Sequence, residues 1–152
     1  MLEYLDIQNT TALTGALNLT SCLELKELYA TGSALTGVSF ANKGKLQKAY
    51  LPNSISELSL RNLKNLEELE ISYNNISKLT IESSNIDEKQ FTLNVIDNGK
   101  LQELYLYGIN WTEGNTNLLN KIYNLYGSDL TGNIYIAGDL ASYERDMYQA
   151  KW

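Results

Sequence analysis

The sequence predicts a β-rich solenoid in which each coil contributes one short strand to each of two walls. The first observation is a phrase of pattern L-x-x-L-x-L, with Ala30 and Ala49 as smaller exceptions, which begins at Leu2, Leu25, Leu46, Leu66 and Leu101. The second is a shorter alternating phrase about ten residues later, at Leu17-x-Leu19, Val38-x-Phe40, Leu58-x-Leu60 and Leu79-x-Ile81. Alternation with a period of two is typical of half-buried strands.

The intervals between successive phrases are 23, 21, 20 and 35 residues. A coil of this length cannot bury its own apolar side, whereas stacked coils can, because each leucine then contacts its equivalents above and below. Leucines at 60, 63, 66 and 69 would also suit a helix, but the alternation of Leu69 and Ile71 conflicts with one. We therefore expect a core that includes Leu28, Leu51, Leu58, Leu69, Leu79 and Leu104.

Composition narrows the possible functions. The chain of 152 residues carries a formal net charge of -6, which disfavours nucleic acids and anionic membranes as partners. It has no histidine and a single cysteine, Cys22, so histidine-based catalytic triads and histidine-ligated zinc are excluded, and an internal disulfide is impossible. No apolar run is long enough to span a membrane. We expect no cofactor and no metal.

Two stretches carry a resemblance to a known family. "YLPNSI" (50–55) looks like a strand followed by Pro-x-Ser and an apolar residue, and "LTSCLEL" (19–25) has an apolar-x-x-Cys-x-x-Leu spacing. With the repeats, these segments resemble bacterial leucine-rich repeat proteins of the BspA-like type. The chain is also similar to repeat proteins of gut bacteria and their phages. The resemblance implies a leucine-rich-repeat solenoid, a right-handed superhelix, over residues 1–109.

Two segments depart from the repeat. An insertion at about 83–100 contains the alternating "FTLNVI", which predicts an added strand or a loop packed on the solenoid. Residues 110–152 predict a helix–strand–helix cap, since "GNIYIAG" alternates and the segments on either side have helical spacing. The chain opens directly in a repeat phrase, so we expect a fragment of a longer protein. Its N-terminal coil then offers a surface for end-to-end self-association.

Several residues are of types found in catalytic or metal-binding sites, but each has a simpler interpretation. Glu67, Glu68 and Glu70 could form a carboxylate pair, but a solvated face is the simpler reading, and no catalytic residue is predicted. "DNG" at 97–99 lacks the alternating acidic ligands of a calcium loop. Cys22 lies in a position that the resembled family fills with a buried residue, so we expect a small core side chain.

The strongest candidate is a strip of outward-facing residues. The residue between the last two apolar positions of each phrase points away from the core, and successive members lie about 4.8 Å apart in stacked strands. This central column is Asp6, Tyr29, Tyr50, Glu70, Tyr105 and Tyr135, and its neighbours are Tyr4, Glu27, Lys48, Glu68 and Glu103 on one side and Gln8, Thr31, Pro52, Ser72, Tyr107 and Ala137 on the other. We expect a ligand-binding face formed by Tyr29, Tyr50, Glu70, Tyr105, Tyr107 and Tyr135, with the tyrosines largely exposed.

Tyrosine supplies contact area and a hydroxyl group at low entropic cost, which suits recognition. The alternative is that the tyrosines only stabilise the pleated sheet. The predicted function is a non-enzymatic module of a bacterial cell-surface, secreted or phage structural protein that binds a protein or a glycan. The alternative function is a structural spacer with no specific ligand. We expect an extracellular, cell-surface or virion location and no membrane insertion within this chain.

Overall fold

The chain folds as a β-solenoid of parallel strands with about four turns. The computed structural model describes residues 1–41, 44–74, 76–82, 86–87, 91–94, 103–106, 109–110 and 133–136. All regular structure in these ranges is β-strand. In the same ranges, no helix has the length and apolar character needed to cross a membrane.

Each coil contains two short strands separated by turns. In chain order the strands are β1 (Tyr4–Asp6), β2 (Thr14–Leu19), β3 (Glu27–Tyr29), β4 (Ala34–Phe40), β5 (Lys48–Tyr50), β6 (Glu57–Arg61), β7 (Glu68–Glu70), β8 (Lys78–Glu82), β9 (Ile86–Asp87), β10 (Thr92–Asn94), β11 (Glu103–Leu106), β12 (Ile109–Asn110) and β13 (Asn133–Ile136). In the first four coils, the two predicted strand phrases form the two walls.

The first sheet is parallel and has the order β1-β3-β5-β7-β10. Its register places equivalent positions of successive coils side by side, so that Leu28 is paired with Ala49 and Ala49 with Leu69. Because side chains alternate across a strand, this register makes the inner row entirely apolar and the outer columns polar or aromatic.

The opposite wall is divided. β2 pairs with β4, with a register irregularity at Gly15, where φ is 84°. The second sheet has the order β6-β8-β11-β13, and β9 pairs with β12 in a separate short ladder. All of these pairings are parallel, as expected for a chain that coils in one direction.

The core lies between the walls. Five of the six predicted core leucines are at most 4% exposed, namely Leu28, Leu51, Leu58, Leu69 and Leu79. The sixth, Leu104, pairs with Leu79 through the backbone, and its side chain lies outside the described part of the structure. Cys22 is half-buried and packs against the core, so it is less buried than the predicted core residue.

The insertion changes which wall receives the fifth phrase. β10, inside the insertion, pairs with β7 and becomes the fifth strand of the first sheet, with Leu93 beside Leu69. β11, which carries the phrase "LQELYLY", pairs with β8 in the second sheet, and β13 follows it there. The prediction that β11 and β13 continue the first sheet is therefore wrong. Both walls use the same alternation, so the phrase alone does not identify its wall.

The predictions for the two ends of the chain have different outcomes. The strand predicted in "GNIYIAG" is confirmed as β13, whereas the two helices predicted within 110–152 lie outside the described residues. In the first coil, Leu5 and Ile7 are half-buried, although their equivalents Leu28 and Ala30 are fully buried. Self-association through this coil stays a prediction.

Candidate binding face

Three tyrosine rings form a continuous ladder on the outer face of the first sheet. Tyr29 and Tyr50 occupy adjacent positions on β3 and β5, and their ring centroids are 5.0 Å apart with planes at 29°. Tyr4, one column over on β1, lies 5.5 Å from Tyr29 in a tilted arrangement. We call Tyr4, Tyr29 and Tyr50 the tyrosine ladder. Offset-stacked and tilted pairs at this spacing are favourable beyond their buried area.

The ladder is less exposed than the sequence predicted. Tyr29 and Tyr50 are half-buried, and only Tyr4 remains largely exposed, at 54%. The reason is that the strand spacing brings each ring against the ring in the next coil, so that the rings cover one another. The expectation that Tyr29 and Tyr50 are substantially exposed is corrected accordingly.

Carboxylates hold the ladder's hydroxyl groups. The Tyr29 hydroxyl donates to Glu27 Oε2 at 2.9 Å, and the Tyr50 hydroxyl donates to Glu68 Oε1 at 2.5 Å. Glu68 also lies 3.7 Å from Lys48 Nζ. Glu70 accepts a hydrogen bond from the Ser72 amide at 2.7 Å, which fixes its position at the end of β7. Hydrogen bonds to charged acceptors are about twice as strong as neutral ones, so the rings are well oriented.

These carboxylates perturb the phenol groups. The hydrogen bond to Glu27, together with partial burial, raises the pKa of Tyr29 to about 12. The hydrogen bond to Glu68 has the same effect on Tyr50 and raises its pKa to about 12. A phenolate beside a carboxylate would be repelled, so the folded state favours the neutral phenol.

This perturbation predicts a loss of stability at alkaline pH. The ordinary tyrosine pKa of 10.0 applies to the unfolded chain, and both pKa values are raised in the folded state. The stabilising contribution is therefore complete below pH 10 and disappears as the pH rises from about 10 to about 12. In a phenolate absorbance titration, the wild type should show a component near pH 12 that a Tyr29→Phe/Tyr50→Phe variant lacks. If the component that disappears instead titrates near pH 10, these hydrogen bonds do not form in solution.

The ladder ends at an open groove of about 330 Å³. Its lining residues come from the ends of the first-sheet strands and the turns that follow, and they are Gln8, Thr31, Tyr50, Leu51, Asn53, Glu70, Ser72 and Tyr73. We call it the Tyr50 groove. Tyr29 stacks on the side of Tyr50 that faces β3, so the other side of the ring faces β7 and Glu70.

Two hydroxyl groups in the Tyr50 groove have no hydrogen-bond partner in the described structure. Ser72 is only 7% exposed, and neither its Oγ nor the Oγ1 of Thr31 has a hydrogen-bond partner among the described residues. A buried polar group without a partner costs about 1–3 kcal/mol, so such groups are uncommon and call for an explanation. Both hydroxyl groups belong to the same outward column, beside Tyr50 and Glu70.

Asparagines in the turns hold the groove in shape. Asn53 Oδ1 accepts from the Gly32 amide at 2.9 Å, and its Nδ2 donates to the Ser72 carbonyl at 3.1 Å. Asn53 therefore links three successive coils. Next to it, Tyr73 is 68% exposed and has a φ of 56°, in the left-handed region that non-glycine residues seldom adopt. An exposed aromatic ring on a constrained turn at the rim of a groove is typical of a contact residue.

The second sheet presents a different outer face. Tyr105 pairs with Thr80 there, and Lys78 Nζ lies 4.8 Å from its ring centroid. Tyr105 is half-buried, so the expectation that it is largely exposed is also corrected. A groove of about 560 Å³ runs over this face, lined by Glu57, Leu58, Ser59, Arg61, Lys78, Thr80, Glu82 and Tyr105. Its charges are balanced, since Glu57 and Glu82 are matched by Lys78 and by Arg61, which forms an ion pair with Glu82.

The structure thus divides the six predicted site residues. Tyr29, Tyr50 and Glu70 lie together on the first sheet, whereas Tyr105 and the Tyr135 backbone belong to the second sheet. Tyr107 and the side chain of Tyr135 lie outside the described residues. A single strip uniting all six is therefore incorrect, because β10 takes the place expected for β11.

Sequence reasoning missed two contributors to the first-sheet site. Tyr4 was placed in the neighbouring column, and only the ring geometry shows that it joins Tyr29. Tyr73 had a local signal, an aromatic residue in the polar turn "SYNN" directly after a strand, which could have marked it.

Neither a metal site nor a similar protein identifies a ligand for this face. Within the described ranges, no group of three or more potential metal ligands comes together. Comparisons of the chain with models of known protein families, with curated proteins and with solved structures found no match.

Proposed function

We propose that this chain is a non-enzymatic binding module that uses the outer face of the first sheet to recognise a protein or glycan partner. The single observation that supports this most is the tyrosine ladder, which runs directly into the Tyr50 groove. Aromatic rings with fixed orientation offer contact area at little entropic cost, and the adjoining groove offers depth.

The biological setting is a further part of the proposal. The L-x-x-L-x-L phrases and first-sheet strands that begin at residues 4, 27, 48, 68 and 92 support a leucine-rich repeat solenoid of the BspA-like type. By that resemblance, the module would belong to a bacterial cell-surface or secreted protein, or to a phage structural protein exposed on the virion.

The two faces of the solenoid provide a matched test of the binding role. The purified chain would be screened on a glycan array and against proteins extracted from host surfaces, beside a Tyr29→Ala/Tyr50→Ala variant and a Tyr105→Ala variant. We expect the double variant to lose at least tenfold in affinity, equivalent to about 1.4 kcal/mol, while Tyr105→Ala binds like the wild type. The melting temperature of each variant serves as the control for folding.

Two results would contradict the proposal. If the double variant unfolds and its residual folded fraction keeps full affinity, the ladder is structural, and the alternative of a spacer without a specific ligand is favoured. If only Tyr105→Ala weakens binding, the recognition face is the second sheet.

A further inference from the structure

The outer face of the first sheet has a strong excess of negative charge. Its described side chains include the carboxylates of Asp6, Glu27, Glu68 and Glu70, opposed by one cation, Lys48, which leaves a formal charge of -3 on this face. The hydroxyl groups of Tyr4, Tyr29 and Tyr50 donate to Asp6, Glu27 and Glu68 respectively, and a neutral phenol does not cancel the charge of a carboxylate. By contrast, the lining of the groove on the second sheet includes two carboxylates, Glu57 and Glu82, and two cations, Arg61 and Lys78.

The Tyr50 groove adds hydrogen-bonding groups to this charge. Ser72 is more than nine-tenths buried and lines the groove, and within the described part of the chain neither its hydroxyl group nor that of Thr31 has a partner. The Glu70 carboxylate is an acceptor beside them, and the ring of Tyr50 forms the adjacent wall. A ligand that suits this groove brings several N–H donors, positive charge and a flat surface that can lie on an aromatic ring.

A guanidinium group has these properties. It is planar, always charged, carries five donors, and stacks on aromatic rings while it pairs with carboxylates. The chain itself contains a related contact, because Lys78 lies over the Tyr105 ring on the other wall. That ring already has its cation, whereas among the described residues no cation is seen over Tyr50, and the ring ends the ladder at the groove.

We propose that the Tyr50 groove binds an arginine side chain of a basic, extended peptide segment in a partner protein. The guanidinium group stacks on the side of Tyr50 that faces β7, pairs with Glu70, and donates to the hydroxyl groups of Ser72 and Thr31. The rest of the segment runs along the tyrosine ladder beside Glu27 and Asp6. This inference rests on the proposed binding role of the first sheet and specifies its ligand.

The test uses a short synthetic peptide of alternating arginine and serine, titrated into the whole chain by calorimetry. Glu70→Gln keeps an acceptor for the Ser72 amide but removes the charge, and we expect it to weaken binding about tenfold. Tyr50→Ala should weaken binding roughly fivefold to tenfold, whereas Tyr50→Phe should retain the affinity, because the ring and not the hydroxyl group carries the stacking. A matched peptide with lysine in place of arginine should bind more weakly.

Glu57→Gln is the control, since it removes the same charge from an exposed position on the second sheet. If Glu57→Gln weakens binding as much as Glu70→Gln, the peptide is held only by the general acidity of the chain and the inference is overturned. If the peptide does not bind, but an array glycan or a surface protein does so through Tyr29 and Tyr50, the binding role stands and the arginine site is rejected. If neither the peptide nor any other ligand depends on these tyrosines, both proposals fail.

Discussion

Replacing Leu69 by alanine should lower the free energy of unfolding by about 2–5 kcal/mol, the range typical of leucine truncation in a packed core. Leu69 is fully buried on the inner side of β7, the fourth strand of the first sheet. Its neighbours in the register are Ala49 on β5 and Leu93 on β10. β7 is paired with β5 on one side and with β10 on the other. The backbone around Leu69 therefore has little freedom to move into the cavity that the truncation leaves.

The measurement is chemical denaturation followed by circular dichroism. Leu23→Ala is the matched control, because it removes the same atoms from a side chain that is 55% exposed, and its effect should stay within about 0.5 kcal/mol. A loss below about 1 kcal/mol for Leu69→Ala would show that this position does not face the core. Repeat proteins can unfold in parts, so a change in the slope of the transition would also be informative.

Replacing Asn74 by alanine should cost roughly 2–4 kcal/mol, because it removes a buried link between coils. Asn74 is 4% exposed, and its Oδ1 accepts from the amide of Ile55 in the preceding coil at 2.9 Å. Its Nδ2 donates to the Ile71 carbonyl at 3.1 Å. Ile55 is fully buried, so the variant leaves its amide without water or a protein acceptor.

The control here is Asn18→Ala, since Asn18 is exposed and caps the Thr20 amide at 3.0 Å. Water replaces that hydrogen bond, and we expect a loss below about 1 kcal/mol. Amide hydrogen exchange provides a second readout, in which the Ile55 amide should exchange faster in Asn74→Ala than in the wild type. Equal losses for the two variants would indicate that Asn74 contributes no more than a surface asparagine.

Both predictions depend on features that differ in how readily the sequence reveals them. The alternation in "LEELEIS" predicts that Leu69 faces inward, and the burial confirms it. The importance of Asn74 is partly visible, since an asparagine after a strand suits a turn. Its partner in another coil is not visible, because the repeat spacing predicts which strand positions stack but not which atoms of successive turns form hydrogen bonds.

In the candidate site, too, the sequence predicts some features and not others. Strand phase alone places Tyr29, Tyr50 and Glu70 on one outer face, because the chain's local alternation decides which side of a sheet a residue occupies. Phase does not reveal that the rings of Tyr4 and Tyr29 pack diagonally or that Tyr29 and Tyr50 become half-buried. Nor does it reveal that the hydroxyl groups of Thr31 and Ser72 have no partner among the residues that the structure describes. Those properties depend on distances between coils.

The sequence by itself determined that the chain is a solenoid, which apolar residues form its core, and that each coil contributes a strand to both walls. These are consequences of period and repetition, and any stacking of the coils would preserve them. Only the tertiary structure decided that β10 and not β11 continues the first sheet, and hence that Tyr105 lies on the opposite wall from Tyr50. The physical reason is that the strands of the two walls have the same alternation, so the choice depends on which segment can hydrogen-bond to β7 and on the chain length available to reach it.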